Sequence, residues 1–363
     1  MMRVAFYAPM KPPDHPVPSG DRAFARALLA AIAGDGVQVD LASDLQVHDN
    51  RGDNTRQAAL RAAARAEVAR LSDDLRQNRP DLWVTYHNYY KAPDLLGPPI
   101  CAALDLPYIQ IEASRSKKRL SGPWAEFAAL AEAATDAADL VFYLTAHDLI
   151  TLERHRPPTQ RLINLPPFLS RPDLPAAADC GAPGRPMLAA GMMRAGDKLA
   201  SYRIIAETLT LLTEEDWRLD IAGDGPVRGQ IETLMAPFGS RVRFLGQIDN
   251  AAMARAYDGA ALFFWPGVNE GFGMVYLEAQ AAGLPVVAQD RPGVRDVLLR
   301  ADQPRPQEGP DALAQRIDSL LKDPTLRRDR GAAARDMIRD GHLVDSARRR
   351  FWTAADPLIG CRS

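Results

Sequence analysis

A chain of 363 residues is longer than one compact core usually holds, so two domains are expected. With 47% hydrophobic and 25% charged residues it has the composition of an ordinary globular protein. A net charge of −2 excludes a globally basic surface for nucleic acid or anionic membrane.

The N-terminal run "MMRVAFYAPM" lacks a long apolar core or a cleavage pattern and reads as a first strand over Arg3–Ala8. A proline-rich loop, "PMKPPDHPVPSGD", leads to a helix over Arg22–Ala33, and Val37–Ser43 forms a second strand. Strand, helix and strand at this spacing make a βαβ unit of a parallel sheet. Asn54–Asn78 is helical, Asp81–His87 a strand, "LPYIQIEA" a strand, Pro123–Ala138 a helix and Asp139–Thr145 a strand. Between Leu165 and Pro186 the prolines multiply and periodicity disappears, as in an interdomain linker.

Alternation then resumes: "PMLAAGMM" and "WRLDIAG" read as strands around a helix at Ser201–Leu212. A helix at Val227–Ala236, the strand "RVRFLG", a helix at Asn250–Tyr257 and the strand "ALFFWP" follow. After these come a helix over Met274–Ala282 and the strand "PVVAQ"; Asp345–Ala355 is a last helix with Phe351 and Trp352 on an apolar face. The expected organisation is a first α/β domain over 1–168, a linker over 169–185, a second α/β domain over 186–342 and a C-terminal helix over 343–363.

Cys101, Cys180 and Cys361 are far apart and form no C-x-x-C pair, which fits a reducing cytoplasm and argues against zinc. No stretch approaches the ~18 consecutive apolar residues of a spanning helix, so membrane contact is expected to be peripheral at most.

The chemistry concentrates in "NEGFGMVYLEAQAAGLPVVA". Ligands of open parallel sheets bind where strand carboxyl ends meet helix N-termini. The amides of Gly271, Phe272 and Gly273 are placed at such a helix start, where a phosphate or a hydroxyl-rich ligand is favoured. A carboxylate beside a phosphate is repelled, so Glu270 is expected to accept hydrogen bonds from sugar hydroxyls and to offset positive charge developing on the ring. Glu278 lies roughly 12 Å further along a helix rising about 1.5 Å per residue, close to the span from a transferred sugar across a pyrophosphate to a ribose diol. On a helix otherwise apolar, a carboxylate is usually paired or ligand-bound. Arg194 and Lys198, in "AAGMMRAGDKLASY", follow a strand end and are candidates to clamp a pyrophosphate, although such charges are commonly solvated surface groups. "IAGDGP", with Gly223 and Gly225, and "FLGQID", with Gln247, are further strand-end glycine turns.

Taken in order, these stretches resemble the retaining GT-B glycosyltransferases of the large family-four group, strongly over the second half and loosely over the first. The resemblance implies two Rossmann-like doubly wound domains facing across a cleft, and a sugar transferred from a UDP- or GDP-sugar to an acceptor hydroxyl with retention. It implies that Glu278 holds ribose, Glu270 the donor sugar, Gly271–Gly273 its hydroxyls or phosphate, and Lys198 the leaving diphosphate. "SGD" resembles the family's glycine loop, which brings Gly20 to the donor phosphates, and the final Arg-rich helix resembles one that returns to the first domain. Two departures stand out: Met192 where the family commonly has arginine, with Arg194 as a shifted substitute, and Glu112 where many members have histidine.

His87, Asn88, Glu112 and Lys117 are candidates for the acceptor side, with Lys118 and Arg119 adding charge that would suit an anionic acceptor. A carbohydrate or glycolipid acceptor is expected, and no nucleic-acid partner. No Asp-x-Asp stretch follows a strand, so neither a metal ion nor any cofactor beyond the sugar nucleotide is expected. Two other readings use the same nucleotide site: a sugar-nucleotide epimerase, for which no acid–base set assembles, and a non-catalytic sugar-nucleotide binder. The long proline loop after the first strand, in place of Gly-x-Gly-x-x-Gly, disfavours a dinucleotide dehydrogenase.

Overall fold

Val4, Phe6 and Tyr7 are fully buried although they are near neighbours on one strand. Only a parallel strand covered by helices on both faces buries such an unbroken apolar run. The structure, a computed structural model, describes residues 1–16, 19–299 and 303–360. The chain divides into two compact units, one of Met1–Ser170 with the segment from Val344 onward, the other of Arg171–Leu343.

In the first unit β1 (Met2–Tyr7), β2 (Val37–Ser43), β3 (Leu82–Asn88), β4 (Tyr108–Ala113), β5 (Leu140–Tyr143) and β6 (Arg161–Asn164) form one parallel sheet in the order β2-β1-β3-β4-β5-β6. Its helices are α1 (Gly20–Ile32), α2 (Asn54–Gln77), α3 (Gly97–Leu104), α4 (Ala125–Ala137) and α5 (Ala146–Arg154). Ser19 caps α1 and Asp53 caps α2 by accepting from early backbone amides, and Thr145 with Asp148 closes a capping box on α5. Helices α3 and α5 and strand β6 escape the sequence reading. The first begins Gly-Pro-Pro, which looks like a turn but is compatible with a helix start, and the other two are short.

The second unit has β7 (Met187–Ala190), β8 (Leu219–Ala222), β9 (Val242–Gly246), β10 (Leu262–Phe264) and β11 (Val286–Val287), ordered β11-β10-β7-β8-β9. Around it lie α6 (Asp197–Leu209), α7 (Arg228–Met235), α8 (Asn250–Asp258), α9 (Met274–Ala281), α10 (Gly309–Lys322) and α11 (Pro324–Gly341). The last helix, α12 (Val344–Gly360), packs on α1 of the first unit. Trp352 donates to the Ile32 carbonyl at 3.1 Å, Arg348 to the Ala30 carbonyl at 2.9 Å, and Phe351 stacks on Phe142 at 5.4 Å.

The proline-rich stretch read as a linker is largely folded onto its neighbours. Phe168 packs against Phe24 at 5.2 Å. Further on, the Ala178 amide donates to Ala282, and Arg327 and Arg335 tie the Cys180 and Pro175 carbonyls to the second unit. Side chains, in place of a ladder, satisfy this irregular backbone. Among the described residues no helix is long and apolar enough to cross a membrane.

Candidate active site

The turn between β10 and α9 is built around one buried tyrosine. The Tyr276 hydroxyl donates to the Trp265 carbonyl at 3.0 Å; that hydroxyl fills the space a Cβ at Gly267 would need, and the ring the space of one at Gly273. Both glycines have positive φ, 78° and 75°. The need for glycine at Gly273 is therefore internal to the turn. Gly271 differs: a Cβ there meets nothing within 4 Å. The amides of Gly271 and Gly273 donate to no group among the described residues, while Phe272 lies between them in the turn.

Helix α6 is stitched to this turn. The Val268 amide donates to Ser201 Oγ at 3.1 Å and Asn269 Nδ2 to Asp197 Oδ1 at 2.9 Å, while Gly191 lets the Trp265 ring close over its backbone. Lys198 is thereby brought onto Glu270. Its Nζ pairs with Oε1, the oxygen that also accepts from Trp265 Nε1 at 2.9 Å, and lies 5.4 Å from the Trp265 ring centroid. The side chains are 25% and 13% exposed, so the pair is sheltered but reachable. Arg194 is exposed and its side chain has no partner among the described residues. Of the two expected cations, only Lys198 is fixed against the carboxylate.

Glu278 follows on α9, partly buried, and its Oε2 accepts from the Tyr257 hydroxyl at 2.9 Å. Burial pushes its carboxyl above the ordinary range, and the tyrosine bond works against that rise. The other oxygen has no protein partner among the described residues. Gly223 and Gly225 hold φ of 136° and 156°, and a Cβ on either would collide with the backbone of Gly191 or Met193. These glycines let neighbouring strand-end loops close up, a requirement that needs no ligand. Gln247 is exposed just past β9.

In the first unit His87 and Glu112 end β3 and β4, both with positive φ, 69° and 59°. Such strain in non-glycine residues concentrates at functional sites. His87 Nδ1 lies 3.7 Å from Glu112 Oε2 and 3.8 Å from Asp21 Oδ1, beyond hydrogen-bonding reach. Burial, then Asp148 and Asp21, pushes the Glu112 carboxyl well above its ordinary range, and burial pulls the His87 imidazole below its own. Gly20 opens α1 with nothing within 4 Å of a Cβ.

Asn88 is a correction. It is fully buried, donates to the Ala131 carbonyl and Thr135 Oγ1 at 3.0 and 2.9 Å, and accepts from the Asp94 amide at 2.8 Å. Its capacity is spent on the core, so it is unavailable to an acceptor. Lys117 is exposed, 3.8 Å from Glu132. Trp265, Tyr257 and Asp21 were missed by sequence reasoning. The one available signal was a tryptophan and an aspartate at element ends, which is weak alone.

Two parallel-sheet α/β units in tandem are the architecture that this chain shares with solved glycosyltransferases of GT-B fold. Sucrose-phosphate synthase from Thermosynechococcus elongatus superposes with a TM-score of 0.75 over 99% of this chain and 100% of that one, at 19% identity. Residues 199–337 match the family Glycosyl transferases group 1. A phosphatidyl-myo-inositol mannosyltransferase of Mycobacterium leprae is 37% identical over 131 residues, 34% of each chain. A GDP-mannose-dependent alpha-mannosyltransferase of Mycolicibacterium smegmatis is 34% identical over 101 residues, 28% of this chain and 26% of that one. The alignments span about a third of these curated relatives, 34% of the first. Residues 199–337 therefore match the group 1 glycosyl transferase family, and the chain as a whole shares the GT-B fold of the solved structure.

Proposed function

We propose that the protein transfers a sugar from a UDP- or GDP-sugar, bound by the second unit, to a hydroxyl of a carbohydrate or glycolipid acceptor recognised by the first, with retention at the anomeric carbon. The observation that carries this reading is the Lys198–Glu270–Trp265 cluster beside the open Gly271 turn, with Glu278 further along the same helix.

Each role follows from charge. The unengaged oxygen of Glu278 accepts from a ribose hydroxyl. The free amides of Gly271 and Gly273 and the Lys198 ammonium face the diphosphate, with exposed Arg194 adding a second positive charge. Glu270, its position fixed by two donors on Oε1, keeps Oε2 for a sugar hydroxyl and for charge on the oxocarbenium-like ring. The bond from the anomeric carbon to the diphosphate oxygen breaks as the acceptor oxygen attacks the same face. The acceptor proton passes to the leaving phosphate oxygen. No separate base and no metal ion is invoked.

The test is a thermal-shift panel of UDP- and GDP-sugars on the full chain, followed by calorimetry on Glu278→Ala. A donor at 100 times its Kd stabilises the native state by about 2.7 kcal/mol. Donor binding that survives Glu278→Ala unchanged would remove the assignment, as would a panel in which no sugar nucleotide stabilises the protein.

A further inference from the structure

Beyond His87 the first unit carries a cationic cluster that the transfer step does not use. Tyr86, His87, Tyr89, Tyr90 and Trp124 form a continuous run of ring contacts, with successive centroids 5.6, 4.9, 5.5 and 5.7 Å apart. At its far end two cations share the last two rings. Lys91 Nζ lies 5.7 and 5.6 Å from the Tyr90 and Trp124 centroids, and Arg119 Cζ lies 5.0 and 5.3 Å from the same two.

Neither cation has a carboxylate partner among the described residues. Arg119 Nε is buried without any hydrogen-bond partner, which is costly for a group that ordinarily donates. Asp49, the acid of the adjoining loop, is already committed: its carboxylate accepts from Gln57 Nε2 and from the amides of Arg51 and Asp53. Lys117 and Lys118 stand exposed on the same turn as Arg119. Burial above all, with Lys91 and Arg56 adding to it and Asp49 opposing it, pushes the His48 imidazole below its ordinary range.

The cluster is also built rather than loose. Arg115, with a side chain 1% exposed, binds Glu132 at 2.7 Å and Asp136 at 2.6 Å, fixing the start of the basic turn. Trp124 Nε1 donates to the Asp49 carbonyl at 3.2 Å, and Gly52, with φ of 73°, lets that loop lie against Pro123 and Trp124. Two unneutralised cations held on aromatic faces, with an unsatisfied guanidinium nitrogen, fit a dianionic oxygen ligand better than any neutral one.

We propose that Lys91 and Arg119 form a phosphate subsite for the acceptor, which is therefore a phosphate-bearing polyol whose carbohydrate ring lies along Tyr89 and Tyr90. This rests on reading the carboxyl ends of β3 and β4 as the acceptor side. A soluble sugar phosphate and a phospholipid headgroup both supply the required phosphate, and the experiment separates them.

Full-length protein is titrated calorimetrically with inorganic phosphate and with glucose 6-phosphate, and sedimented with phosphatidylcholine vesicles with and without phosphatidylinositol. The variants are Lys91→Gln, Arg119→Gln and the two together, with Arg65→Gln, an exposed cation on α2, as the exposed-charge control. The double variant is expected to weaken phosphate binding more than tenfold, each single variant severalfold, and Arg65→Gln by less than twofold. Sugar-nucleotide affinity stays unchanged throughout. Loss of the soluble ligand identifies a sugar phosphate, whereas loss confined to phosphatidylinositol vesicles identifies a headgroup; both support the subsite. Equal binding of every phosphate-bearing probe by wild type and by the folded variants overturns it, as does wild type that binds none of them. Because sugar-nucleotide binding is measured in the same preparations, its absence counts against the transferase reading and is read separately from the phosphate result. The single variants carry the test if the double variant unfolds.

Discussion

Lys198 and Glu270 are brought together only by the docking of α6 on the turn before α9, and a double-mutant cycle reads that coupling directly. Lys198→Met keeps the alkyl stem against Trp265 but leaves the Glu270 carboxylate, 13% exposed, with only the indole N–H at 2.9 Å. Losing a charged partner from such a sheltered group costs about 1.5–3 kcal/mol. Glu270→Gln leaves an ammonium that is 25% exposed and partly rehydrated, so about 1 kcal/mol is expected. The double variant should be less destabilised than the sum of the two by about 1–2 kcal/mol. Scanning calorimetry on all four proteins measures this. For a unit the size of Arg171–Leu343 each kcal/mol moves the transition by roughly 2–4 °C, so Lys198→Met should lower it by roughly 3–12 °C. Transfer by Lys198→Met should fall about 10²–10³-fold. Additivity within about 0.5 kcal/mol would show that the pair is not coupled and would refute the argument.

Glu112→Gln should alter stability in a pH-dependent way. Burial raises the folded carboxyl above its unfolded value, so its contribution to stability is present in acid and lost as pH rises through the folded pKa. Denaturant midpoints at pH 8 should therefore rise in the variant and those at pH 4 should not; the reverse order would contradict the assignment. Glu278→Gln keeps an acceptor for Tyr257 but removes charge from the ribose contact, so calorimetry should show about tenfold weaker sugar-nucleotide binding with no loss of ligand-free stability. Arg115→Ala leaves Glu132 buried without its partner, and urea melts should show a loss of about 3–5 kcal/mol, confined to the first unit. Gly223→Ala, at φ 136° and against the Gly191 backbone, should destabilise the second unit by more than 1 kcal/mol, measured by the same melts.

Strong local patterns were legible. Val37–Ser43 was bounded correctly because its apolar run is bracketed by Gly36 and Asp44, and α9 was placed within a residue because Gly273 and Gly283 frame it. Short elements without a period, such as β6, were not. The proline-rich segment looked free because its backbone partners are distant in sequence, among them Arg327, 147 residues from Cys180, and Arg335, 160 residues from Pro175. Asn88 looked like a strand-end binding group because its sequence neighbours are aromatic. Only the fold reveals that Ala131, Thr135 and Asp94 consume it.

The sequence by itself determined the succession of strands and helices and the turns that require glycine, since periodicity and backbone sterics act over a few residues. Tertiary structure alone decided which charges meet. Lys198 sits on Glu270 across 72 residues, while Lys91 and Arg119 share two rings yet find no acid among the described residues. The reason is that electrostatic partnership depends on distance and shelter from water, and neither quantity is written in the spacing of residues along a chain.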